Sequence, residues 1–174
     1  MKQLIESIRN IQDFPKKGIV FRDITTLLKD ADALHQAVNL LNNQYKASKI
    51  DKVVCIESRG FILGSALAVS LGAGFVPIRK KGKLPAEIFS EQYALEYGTD
   101  VVEIHRDAIQ PGERILLHDD LLATGGTMCA AVKLVEKLQA DTIGIAFLIE
   151  LSFLKGRERL NRYDVFSLIQ YESE

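Results

Sequence analysis

The chain has 174 residues, 47% apolar and 26% charged, with 22 Lys+Arg against 23 Asp+Glu and a formal net charge of −1. Its length suits a single domain spanning residues 1–174, since domains run at roughly 100–200 residues, and its composition excludes a disordered or fibrous chain. The balanced charge gives no electrostatic reason to expect nucleic acid or an anionic membrane as partner, and two cysteines without a CxxC exclude a disulfide-dense scaffold.

Along the chain, Leu4, Ile8 and Ile11 fall at helical spacing and predict a first helix ending before Pro15. Leu34, Val38, Leu41 and Tyr45 repeat the pattern after the acidic start Asp30-Ala-Asp32. The apolar run Val53–Ile56, the turn Glu57-Ser58-Arg59-Gly60, the helical stretch Phe61–Leu71 and the run Phe75–Ile78 read as strand, helix, strand. Residues 79–107 are polar, rich in charge and Tyr, and suit a functional loop or an irregular hairpin. A second unit follows. Ile115–Leu117 is a buried strand, Met128, Ala131, Val135 and Leu138 mark an amphipathic helix, and Ile143–Ile149 and Val165–Ile169 are further strands. Continuous apolar strands alternating with helices predict an α/β fold, with a mainly parallel central sheet flanked by helices on both faces. In such sheets ligands bind beyond the carboxyl ends of strands, which directs attention to the loops after Ile56, Ile78 and Leu117. No signal-peptide core opens the chain, and the longest apolar stretch, Gly144–Leu154, carries Glu150 and is too short to span a bilayer, so a soluble cytoplasmic protein is expected.

The segment Ile115-Leu-Leu-His-Asp-Asp-Leu-Leu-Ala-Thr-Gly-Gly-Thr127 carries most of the chemical information. An apolar strand leads into two adjacent carboxylates, then a loop of small residues, then a helix. Free N–H groups at the helix start, with the hydroxyls of Thr124 and Thr127, make a cradle for a phosphate, and Gly125 and Gly126 allow close backbone approach. Asp119 and Asp120 can only accept hydrogen bonds when ionised, which suits sugar hydroxyls or a hydrated magnesium ion. The order is not a Walker P-loop, and no GxGxxG occurs. A lone Gly-Gly would be no more than a turn capping a helix; the whole sequence of features argues for a site.

With these residues in place, the chain resembles the type I phosphoribosyltransferases, whose phosphoribosyl pyrophosphate motif has this layout, and within them the adenine-specific branch. Phe14-Pro15, Gly18–Ile24, Glu57–Phe61, Arg79–Pro85, Leu95–Gly98 and Leu154–Arg157 match that branch in order and spacing. The resemblance implies a type I phosphoribosyltransferase fold with a small N-terminal hood and a mobile loop over about residues 85–100. It implies purine salvage: transfer of the 5-phosphoribosyl group to adenine, giving AMP and pyrophosphate. Ala123, Thr124, Gly125, Gly126 and Thr127 would hold the 5′-phosphate, and Asp119 and Asp120 the ribose hydroxyls. Glu57, Ser58, Arg59, Arg79, Lys80 and Lys83 would serve the pyrophosphate, with a cis peptide at Glu57–Ser58 turning N–H groups toward it. Val20 and Arg22 would offer backbone groups to the amino edge of adenine, while Phe21 and Leu151 pack on its faces. Glu96 would be the acid/base, Tyr97 would close over the sugar, and Arg59 would act on the leaving group. Magnesium would bind through the pyrophosphate and water without a direct protein ligand, and a homodimer is implied.

Two other activities stay open at this point. One is transfer to another purine such as hypoxanthine, guanine or xanthine, against which Leu121-Leu-Ala123 argues. The other is a phosphoribosyl pyrophosphate-sensing regulator, which would need a basic surface or an added DNA-binding domain. His35, His105 and His118 show no metal-ligand pairing, and Cys55 and Cys129 lack the partners of a nucleophile.

Overall fold

The computed structural model describes residues 2–94 and 98–174. Its strands are β1 (Arg9–Ile11), β2 (Phe21–Asp23), β3 (Lys52–Ile56), β4 (Gly74–Lys80), β5 (Ile88–Ala94), β6 (Thr99–His105), β7 (Arg114–Leu122), β8 (Asp141–Leu151) and β9 (Val165–Tyr171). Its helices are α1 (Lys2–Glu6), α2 (Thr25–Leu28), α3 (Ala31–Tyr45), α4 (Gly60–Leu71) and α5 (Gly126–Lys137), with two short 3-10 turns between β8 and β9.

Seven strands form one sheet in the order β5-β6-β4-β3-β7-β8-β9. The run from β4 to β9 is parallel, and β5 and β6 add an antiparallel edge. The β3 strand shows why both faces must be covered. Val53 and Cys55 pack with Leu41 of α3 and Leu67 of α4, whereas Val54 and Ile56 pack with Leu134 and Val135 of α5. The chain leaves β3 toward β4 on one side and later places β7 on the other, so a crevice opens between the carboxyl ends of β3 and β7. Helix starts and stops follow local chemistry. Asp30 caps α3 by accepting from the Ala33 N–H at 2.9 Å, and α4 ends at Gly72, whose φ of 68° is cheap only for glycine.

The structure departs from the sequence reading in three places. The first helix stops at Glu6, and Arg9–Ile11 instead pairs with Phe21–Asp23 in a small two-stranded hood. Leu4 and Ile8 are buried as their spacing requires, but a five-residue helix is too short to propagate without help, and the β1–β2 pairing claims the residues after it. Residues 79–107, read as a functional loop or an irregular hairpin, hold β5 paired with β6 in unbroken register from Ile88↔His105 to Ala94↔Thr99. The strand expected at Ile115–Leu117 continues to Leu122, so Asp119 and Asp120 lie on β7 itself. No helix among the described residues is long and apolar enough to cross a membrane.

The hood is stapled by charge. Asp23, 6% exposed, accepts from Arg9 Nε at 3.0 Å and from the Thr25 N–H at 2.9 Å. The Arg9 hydrogen bond first, then that of Thr25, hold the Asp23 carboxyl down to about 2. An acid whose folded pKa lies below its unfolded value stabilises the fold above the unfolded pKa, near 4, and loses that contribution as pH falls toward the folded one. Because Arg9 is largely exposed, Asp23→Asn should lower stability by about 1–2 kcal/mol at neutral pH. Urea denaturation at pH 6 and pH 3 checks this: the gap between the two proteins should narrow at the lower pH.

Candidate functional site

At the crevice the two carboxylates of β7 stand beside one arginine. Asp119 Oδ1 accepts from the Asp120 N–H at 2.9 Å, and Asp120 Oδ2 forms an ion pair with Arg59 Nη2 at 2.7 Å. Burial, and for Asp119 the neighbouring charge of Asp120, push both carboxyls above their ordinary range, and Arg59 pulls them back. Helix α4 can come this close only because it begins with Gly60: a Cβ there would lie 2.7 Å from Asp119 Oδ1 and 3.2 Å from Asp119 Cα. The Arg59 guanidinium also lies 5.2 Å from the centroid of the Phe21 ring, which connects the crevice to the hood.

A second ionic knot surrounds Glu57, whose peptide bond to Ser58 is cis. The carboxylate accepts from Arg79 Nε at 3.2 Å, from the Lys80 N–H at 3.1 Å and from the Lys83 ammonium. Burial alone would raise the Glu57 carboxyl, but the hydrogen bonds from Lys83, Arg79 and Lys80 outweigh it and hold it at about 2. The Lys80 ammonium turns the other way, to Asp100 of β6 at 3.0 Å.

Beyond β7, Ala123, Thr124, Gly125, Gly126 and Thr127 wrap a small hollow of about 80 Å³ that Asp119 and Phe147 also line. Gly125 has φ of 79°, and its carbonyl accepts from the Cys129 N–H at 3.0 Å, closing the first turn of α5. The loop is pressed from behind by Gly156: a Cβ at Gly125 would meet the Gly156 carbonyl oxygen at 2.7 Å. Gly156 is held in turn by its neighbour Arg157, which donates to Glu150 at 3.0 Å and to the Val165 carbonyl at 2.6 Å. A larger cavity of about 570 Å³ joins this loop to the hood, with Val20 and Leu151 at one side and Thr124, Gly126 and Thr127 at the other.

The fold brings many of the residues singled out in the sequence into two groups, one around Arg59 and the Thr124–Thr127 cavity and one around Glu57. Val20 and Leu151 share a cavity with the Thr124–Thr127 loop, Phe21 meets Arg59, and Arg59 meets Asp120. Arg22 is buried with its guanidinium on Tyr171. Glu96 and Tyr97 lie outside the described residues. Several cavity-lining residues were missed, Tyr93 and Arg159 among them. Tyr93 is brought to the cavity by the β5–β6 pairing and Arg159 by the second 3-10 turn, and neither is near the motif in sequence. His118 is wholly buried, its Nδ1 3.0 Å from the Ala146 carbonyl, and burial pushes its pKa down to about 4, so it is neutral. Cys55 is buried too, and burial pushes its thiol well up.

Residues 24–173 match the phosphoribosyl transferase domain family. Among curated relatives, the adenine phosphoribosyltransferase of Halothermothrix orenii is 60% identical over 168 residues, covering 97% of this chain and 99% of the relative. The crystal structure of the adenine phosphoribosyltransferase from Thermoanaerobacter pseudethanolicus superposes with a TM-score of 0.95 at 52% identity, covering 98% and 99% of the two chains. That of the Saccharomyces cerevisiae enzyme, complexed with an imino-altritol bisphosphate and adenine, superposes with a TM-score of 0.93 at 40% identity, covering 96% and 97%.

Gly125→Ala should destabilise the chain by about 1–3 kcal/mol, because the new methyl meets a backbone carbonyl and the positive φ disfavours it. A thermal melt measures this; a melt equal to that of the unaltered chain would mean the loop relaxes freely.

Proposed function

The chain belongs to the phosphoribosyl transferase family, in its adenine phosphoribosyltransferase branch, and on that premise we propose that the crevice transfers the 5-phosphoribosyl group of phosphoribosyl pyrophosphate to adenine. The products are AMP and pyrophosphate. The observation that carries this reading is the single cavity joining Val20 and Leu151 to the Thr124–Thr127 loop, beside the Asp119–Asp120 pair.

Transfer breaks the bond from the anomeric carbon to the pyrophosphate oxygen and forms a bond from that carbon to a purine ring nitrogen. The ribose ring carries positive charge in between. The carboxylates favour that charge, Asp120 buried and paired with Arg59 and Asp119 half-buried beside it, the more so in a site that excludes water. Ala123, Thr124, Gly125, Gly126 and Thr127 hold the 5′-phosphate, a role supported by the phosphate-sized hollow at the start of α5. Arg59, Arg79, Lys80 and Lys83, with the Glu57–Ser58 turn, hold the pyrophosphate. Glu57 keeps Arg79 and Lys83 assembled beside the crevice, which is support for preorganised cations. Glu96 takes the proton from the purine nitrogen and Tyr97 closes over the sugar, as the resemblance implies.

At the base, the Val20 carbonyl and the Arg22 N–H meet the amino edge of adenine, with Phe21 and Leu151 on the ring faces. An oxopurine presents a carbonyl and a ring N–H there, leaving both backbone groups unpaired, which disfavours it. Magnesium would be a substrate-borne ion, held through the pyrophosphate and its own waters with no direct protein ligand, as suits an ion that keeps several waters beside substrate phosphates. When bound it would screen the leaving pyrophosphate. We also propose a homodimer, supported by the outward face of α4, where Val69 is 83% and Ile62 46% exposed. A cytoplasmic setting suits the free thiols Cys55 and Cys129.

The test is AMP formation with adenine, hypoxanthine, guanine and xanthine in parallel. Adenine alone should react. Arg59→Ala should lower kcat by about 100-fold and Glu96→Gln by about 100-fold or more, with the melting transition kept. Oxopurine turnover would discard the base assignment, and full activity in both variants would discard the catalytic one.

A further inference from the structure

We propose that the stack of Arg22 on Tyr171 sets the width of the adenine slot, making both of them positioning residues; this rests on Phe21 and Leu151 being the two walls of that slot. Neighbouring residues on a strand point to opposite faces, and β2 shows it. Phe21 faces Arg59, while the Arg22 side chain goes the other way and its guanidinium lies 4.0 Å from the Tyr171 ring centroid. Arg22 is only 8% exposed. Its Nη1 donates to Asn10 Oδ1 at 2.7 Å and its Nη2 to the Ser173 carbonyl at 3.4 Å. Among the described residues its Nε has no hydrogen-bond partner, so the Tyr171 ring face carries much of the compensation for a buried charge.

The positions of the two partners give the stack its meaning. Arg22 is bonded to Phe21, one wall. Tyr171 is the strand partner of Leu151, the other wall, at the last rung of the β8–β9 pairing. The hood strands β1 and β2 have three residues each; Ile8 and Ile24 beside them pack into the core with Leu148 and Ile149, but Phe21 lies outside that core and a further contact must fix its distance from Leu151. A planar guanidinium lying flat on a ring can do so, because its separation is set by van der Waals contact and it resists tilting. The Tyr171 hydroxyl has no hydrogen-bond partner among the described residues, which assigns the role to the ring.

Steady-state kinetics of AMP formation by the full chain, varying each substrate in turn, tests this. Tyr171→Leu should raise the KM for adenine about tenfold while changing that for phosphoribosyl pyrophosphate by less than about twofold. Tyr171→Phe, which keeps the ring, should restore the adenine KM. Arg22→Lys keeps the charge but removes the planar stack, and should show the same selective rise even if Tyr171→Leu fails to fold. A parallel rise in both KM values, an unchanged adenine KM in the leucine and lysine variants, or a phenylalanine variant as impaired as the leucine one would overturn the proposal. Absence of AMP formation by the unaltered chain would instead overturn the reading of the site itself.

Discussion

Two carboxylates placed side by side at the end of a buried strand are the constraint around which this molecule is arranged. Asp119 and Asp120 stand on a strand near the centre of the sheet, and among the described residues the cation paired with them is Arg59, 2.7 Å from Asp120. Removing two charges from water is expensive unless something compensates, and one guanidinium compensates only in part. The surroundings follow from that. Helix α4 must begin with a residue lacking a side chain so that Arg59 can sit at its first turn, and Gly60 is that residue. The loop after β7 turns back at once so that it and Asp119 line one hollow, which the left-handed Gly125 allows.

The cations are kept in readiness by partners inside the protein. Glu57 gathers Arg79 and Lys83, Asp120 holds Arg59, and Asp100 holds Lys80. Unpaired cations in the same crevice would repel one another and drift. Paired ones keep their geometry, and under the proposed function an incoming polyanion would exchange one set of ion pairs for another. A substrate with a pyrophosphate and a developing positive ring suits this exchange, since its charges complement both the cations and the carboxylates.

Much of this was legible in the sequence because the decisive features are local. A strand, two acids, small residues and a helix start are contiguous from Ile115 to Thr127, and Glu57–Gly60 is contiguous with β3. The apolar runs of β3, β4, β7 and β8 announced a sheet covered on both faces. Features made by residues distant in sequence were not legible. Arg9–Ile11 is a strand only because Phe21–Asp23 lies opposite it, and the pairing of β5 with β6, which the sequence left open between a loop and an irregular hairpin, carries Tyr93 to the cavity. The support that Gly156 gives to Gly125 joins residues that no local pattern connects.

Whether the crevice trades its internal ion pairs for a phosphoribosyl substrate is decided by a crystal structure with phosphoribosyl pyrophosphate and magnesium bound. Arg59 should leave Asp120 for the pyrophosphate, their separation passing beyond about 4 Å, with Asp119 and Asp120 on the ribose hydroxyls. An Arg59–Asp120 pair still at 2.7 Å, with the substrate seated elsewhere, would contradict it.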